Sequence, residues 1–196
     1  SDENNQKLLW KITRSYQFLY MLRCELVGVV ACAFVEFLLF VGSYSNDAFR
    51  IISGILFALI NFFIVYNSAA KLGKSDMKTY TPLKYNVKWS VLWGIAIAVV
   101  NLLSVAVFKM NWHFFTVDGV LANPFSVVLN ISFYVWQSPY MAFLIMTPNV
   151  VPIAVVVVGC VLPCIASVTG YISGKYDFLI SDKIHGLMFE KGNKDI

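Results

Sequence analysis

Long apolar runs broken by short polar stretches dominate this chain. Positions 24–42, 50–70, 89–108 and 152–174 each hold about twenty mainly apolar residues, the length a helix needs to cross a bilayer. The last run opens on Pro152, which a helix tolerates in its first turn. Glu25 falls at the margin of the first run, where a charge still reaches water. A fifth stretch, "NPFSVVLNISFYVWQSPYMAFLIMTPN", is long enough to span but carries Asn130, Gln137, three serines and three prolines. Its pattern predicts a helix from about Phe125 to Gln137 that Pro139 interrupts.

Basic residues decide between four spans and five. With four, 13 of the 15 lysines and arginines fall on one side, leaving Arg50 and Lys109 on the other. With five, Lys175, Lys183, Lys191 and Lys194 change sides, and the "TPNVVP" turn carries no positive charge. The positive-inside rule favours four spans in the cell membrane, with both termini cytoplasmic. The segment 124–146 then lies on the outer side as an interfacial or re-entrant helix, its Phe133, Tyr134, Trp136 and Tyr140 suited to head-group level. A re-entrant stretch requires protein cover for its backbone.

The N-terminal piece "KLLWKITRSYQFLYML" places Lys7, Lys11 and Arg14 on one helical face and Leu8, Leu9, Ile12, Tyr16 and Leu19 on the other. This amphipathic helix either lies in the cytoplasmic interface or extends the first span. After the second run, "KLGKSD" reads as a lysine-rich loop in which Gly73 ends the helix. The expected class is an all-α polytopic transmembrane bundle, residues 1–196 forming one integral membrane domain.

Composition agrees. Apolar residues make up 59% of 196 positions and charged residues 13%, more apolar surface than a soluble core of this size can hide. The net charge is +4, but the lysines gather beside apolar runs without an interleaved aromatic stripe. That pattern suits anionic lipid head groups, not nucleic acid. Lys71, Lys74, Lys78, Lys84 and Lys88 are the expected contacts for such lipid or for a partner. With 23 residues ahead of it and no small-residue cleavage site behind, the first run reads as an anchor rather than a signal peptide.

Each span also carries a face of small or polar residues at helical spacing, including Gly28, Cys32 and Glu36 on the first and Gly54, Asn61 and Ser68 on the second. Ser90, Gly94, Ala98, Asn101 and Ser104 mark the third, and Gly159, Pro163, Ser167, Gly170 and Gly174 the last, with Cys160 at a level similar to Asn61 and Asn101. Small residues let helices approach closely in lipid, so these faces are expected to meet. Rise per residue places Glu36 and Asn101 each ~18 Å, and Asn61 ~14 Å, from the cytoplasmic side. The candidate site is therefore a polar seam of Glu36, Asn61, Asn101, Cys160 and Ser167. An acid at that depth requires a partner or a cavity. Glu36 is either a hydrogen-bonded clip, a carrier for a cation or proton, or a contact for another subunit.

Other chemistry finds little footing. No phosphate-cradle, zincin or hydrolase-elbow motif occurs. His113 near Asp118 and His185 near Asp182 read as solvated loop pairs. Cys160 and Cys164 lack the further ligands of a zinc site, and the four cysteines read as small apolar residues. No cofactor or metal is expected. The expected role is a small transport or permeation bundle, working as an oligomer or as one subunit. The alternative is a structural or assembly partner of a larger membrane complex.

Overall fold

The computed structural model describes residues 2–43, 47–78, 83–117, 120–121, 123–140 and 153–176. The helices are α1 (Asp2–Ser43), α2 (Asp47–Asp76), α3 (Val87–Phe115), α4 (Pro124–Trp136) and α5 (Ile153–Lys175). A two-residue antiparallel pairing, Thr116–Val117 (β1) with Val120–Leu121 (β2), links α3 to α4. A 3₁₀ turn, Ser138–Tyr140, follows α4.

Four helices are long and apolar enough to cross a membrane: Thr13–Leu38, Ile51–Asp76, Val87–Asn111 and Val156–Lys175. Large apolar side chains such as Phe37, Leu56, Leu103 and Val157 stay exposed along all four, as a lipid-facing surface requires. The seams meet as helical spacing predicts. An added Cβ at Gly170 would strike the Tyr66 carbonyl, one at Gly174 the Ala70 carbonyl, and one at Gly94 the Cys164 backbone. These contacts bring α2 and α5 together in parallel, while α3 runs antiparallel to α5. Ser167 Oγ donates to the Ser90 carbonyl at 2.8 Å, and Cys160 Sγ lies 3.6 Å from the Ala98 carbonyl.

Two boundaries differ from the sequence reading. The amphipathic N-terminal piece extends the first span, one of its two expected placements, but the apolar part begins at Thr13, eleven residues early. Arg14 and Gln17 enter the bundle because Asp76 receives both, as described below. Gly73 does not end α2, which runs on to Asp76. Its missing Cβ instead seats α2 against the Tyr171 carbonyl.

The segment after α3 dips into the bundle. Asn123 caps α4, its side chain accepting from the Phe125 N–H at 2.9 Å, and Pro124 fills the first turn. Asn111 Nδ2 donates to the Ser126 carbonyl, and ten residues further Trp136 Nε1 donates to Asn101 Oδ1. Ten residues on α4 match ten on α3, so α4 stands upright and antiparallel to α3 rather than lying along an interface. With 13 residues it is only ~20 Å long, too short to cross. The segment is therefore packed against α3, the kind of protein cover that a re-entrant stretch requires. Residues 141–146 of the expected segment lie outside the described residues, as do the lysines beyond Tyr176.

Candidate functional site

The four spans converge at two polar junctions. The first sits at the lysine-rich end, where Lys71, Lys74, Lys78, Lys84, Lys88 and Lys175 are all exposed. There Arg14 Nη1 donates to Asp76 Oδ2 and to Gln17 Oε1, each at 2.8 Å, and Nη2 donates to the Lys84 carbonyl at 2.8 Å. Gln17 Nε2 donates to Asp76 Oδ1 at 2.7 Å, and Tyr171 Oη donates to Asp76 Oδ2 at 2.6 Å. The guanidinium also lies 5.2 Å from the Trp89 ring centroid. Arg14 and Asp76 are 4% and 1% exposed, so the charges are paired, hydrogen-bonded and dry. Buried charges persist only under those conditions. Tyr85 stacks on Tyr171 at 4.8 Å and Trp93 meets it edge-on, closing the junction. Every oxygen of Asp76 is used, which marks this junction as structural.

The second junction forms around the tip of the re-entrant segment, near the middle of the spans. Gln137, Ser138, Pro139 and Tyr140 are all buried, and together they touch all four helices. Gln137 Nε2 donates to Ser104 Oγ on α3 at 2.7 Å. Ser138 Oγ donates to the Val29 carbonyl on α1 at 2.8 Å. Tyr140 Oη accepts from Asn61 Nδ2 on α2 at 3.4 Å, and its ring covers Gly159 on α5. Non-helical backbone is tolerated at this depth only where protein or a cavity surrounds it. Here protein does.

Next to the tip, Asn61 Nδ2 donates to Glu25 Oε1 at 3.1 Å. Glu25 is 1% exposed and its Oε2 has no hydrogen-bond partner; Asn61 Oδ1 is likewise buried and unpaired, facing Gly28. Glu25 therefore lies mid-span rather than at a margin, because the first span begins at Thr13. Asp76 accepts from Arg14, Gln17 and Tyr171, whereas Glu25 holds one neutral donor. Of these two acids Glu25 is the less satisfied.

The expected seam divides. Asn61 joins Glu25. Asn101 instead joins the tip and α5, donating to the Gly159 carbonyl at 2.6 Å and accepting from Trp136. Cys160 and Ser167 remain on the α3–α5 contact. Glu36 is half-buried, on the same α1 face as Glu25, Gly28 and Cys32, one turn beyond Cys32. The structure does not bring Glu36 to Asn61 or Asn101. Sequence reasoning missed Glu25, although the recurrence of 25, 28, 32 and 36 at helical spacing was visible. It also missed Asp76 and Ser138, for which no local pattern exists, and it set Tyr140 at head-group level, whereas that ring is buried among the helices beside Asn61.

Among the described residues no group of three or more His, Cys, Asp or Glu side chains is placed to hold a metal. His113, Asp118 and His185 have no described side chains. Comparison with protein-family models, with curated proteins and with solved structures finds no match to this chain.

Proposed function

We infer that this bundle takes part in moving a proton or small cation through the membrane, with Glu25 as the group that binds it. The observation that supports this reading is the unpaired Oε2 of a mid-span acid. Ionisable residues within spans are costly and mark ion or proton paths by default. A carboxyl with one donor and one free oxygen takes up a proton or a cation at less cost than one already satisfied, such as Asp76. Glu36 forms a second station in this reading. It stands eleven residues, or ~16 Å, further along the same face, with Cys32 between them and only partial burial to separate it from the far end. The re-entrant tip blocks the middle, so passage requires Tyr140 to move off Asn61.

The positive-inside rule sets the lysine-rich end, and with it both termini, on the cytoplasmic side of the cell membrane. Activity as an oligomer or as one subunit of a larger assembly is part of the same reading, since four packed helices leave little room for a private path.

A second reading, a structural or assembly partner of a larger complex, draws on one observation. The cleft bounded by Asn101, Val105, Gln137, Val156, Gly159 and Cys160 has no room for a water molecule. A dry seam suits packing more than permeation.

Flux in liposomes separates the two. The purified chain is reconstituted with an interior pH dye and an imposed proton gradient. The transport reading expects dissipation faster than in empty liposomes, abolished by Glu25→Gln and slowed by Glu36→Gln. Equal rates with and without protein, under both proton and sodium gradients, would favour the assembly reading.

A further inference from the structure

We propose that the groove between α1 and α3 at the lysine-rich end seats one acyl chain of an anionic phospholipid, whose head group rests on Lys84 and Lys88. The groove holds about 660 Å³ and is lined by Arg14, Ser15, Phe18 and Leu19 on α1 and by Trp89, Leu92 and Trp93 on α3. Its walls are apolar except for Ser15 and the Arg14 guanidinium. It lies in the first turns of two candidate spans, among exposed apolar side chains such as Leu19 and Leu92.

Two features choose the occupant. The first is depth. Trp89 is half-buried in the first turn of the third span, the level at which indole rings favour the boundary between head groups and acyl chains. The second is charge. Lys88 is exposed one turn before Leu92 on the same face of α3. The Lys84 carbonyl is held by Arg14 at 2.8 Å, which keeps the backbone of Lys84 beside the Arg14 wall of the groove, with its side chain exposed. Asp76, the acid that Arg14 holds behind this groove, is fully engaged inside the junction and buried. The mouth is therefore cationic above an apolar slot, the complement of a phosphate above a hydrocarbon chain. The proposal is independent of the ion-binding reading of Glu25.

The test is lipid retention by the full chain, read by native mass spectrometry after release from nanodiscs. The nanodiscs contain phosphatidylcholine and phosphatidylglycerol with the same acyl chains. The expected result is one retained phosphatidylglycerol per chain in preference to phosphatidylcholine. Lys88→Gln should lower that preference about fivefold, the effect of one basic residue near an anionic surface. Leu92→Trp fills the slot from a lipid-exposed position and should remove retention of either lipid while leaving the thermal midpoint unchanged. Equal retention of the two lipids, or retention unaffected by Leu92→Trp, would overturn the proposal. Dimers that dissociate on Leu92→Trp would also overturn it, assigning the groove to a second copy.

Discussion

Asn101 Nδ2 donates to the Gly159 carbonyl at 2.6 Å, the carbonyl that Pro163 leaves without a helical donor. Proline has no N–H, so the residue four places earlier loses its partner, and Pro163 lies inside α5. In lipid such an orphan finds no water, so a neighbouring helix must satisfy it. The same Asn101 accepts from Trp136. One amide thus joins the proline of the last span to the foot of the re-entrant helix.

That pairing predicts a measurable coupling. Asn101→Leu should lower stability by ~1–2 kcal/mol, because the Gly159 carbonyl and the Trp136 indole both lose a partner. Pro163→Ala restores an N–H to Gly159. In that background Asn101→Leu should cost less, by about 0.6 kcal/mol, the usual worth of one interhelical bond in a membrane protein. Unfolding in mixed micelles measures all four corners of the cycle, and strict additivity would contradict the pairing.

The Arg14–Asp76 junction predicts an asymmetric penalty. Asp76→Ala leaves a buried guanidinium without a counter-charge and should cost about 3 kcal/mol. Removing both charges, as Arg14→Met with Asp76→Leu, should cost less than Asp76→Ala alone. Thermal unfolding in detergent orders the two variants, and the reverse order would argue against a dry pair.

Close approach of α2 and α5 rests on glycines whose added Cβ would meet backbone. Gly170→Leu should push α5 off the Tyr66 carbonyl and Gly174→Leu should push it off Ala70. Backbone cannot rotate away as a side chain does, so both variants should shift the chain into aggregates on size-exclusion chromatography. Val157→Leu, on the exposed face of the same helix, should elute as the unaltered chain does.

Depth of the re-entrant tip is open to chemical labelling. Tyr140→Cys should resist a membrane-impermeant maleimide added from either side, because residue 140 is 1% exposed in the centre of the bundle. Asn123→Cys, at the exposed start of α4, should react from one side only. Labelling of both positions at equal rates would mean an interfacial segment instead.

Much of this arrangement was legible in the sequence because lipid imposes a strict length on apolar runs. The four long apolar helices follow from residue counts, and the short helix near Phe125–Gln137 from its bounding prolines. What stayed hidden depends on contacts between distant residues. Arg14 reads as the polar face of a surface helix until Asp76, 62 residues on, neutralises it. With Arg14 read as outside, the first span starts too late, and Glu25 slips from the centre to the margin. Tyr140 and Ser138 reach Asn61 and Val29 across 79 and 109 residues, a distance over which periodicity carries no information.

The claim that Glu25 exchanges a proton or cation with water is tested most directly by infrared difference spectroscopy. The full chain in liposomes is titrated in pH and in sodium, and the Glu25 carboxyl band is assigned by its loss in Glu25→Gln. The account predicts a band that responds to bulk pH or sodium and shifts on transfer to heavy water. A Glu25 band indifferent to pH, sodium and heavy water alike would show a sealed acid, and would contradict its role as a binding group.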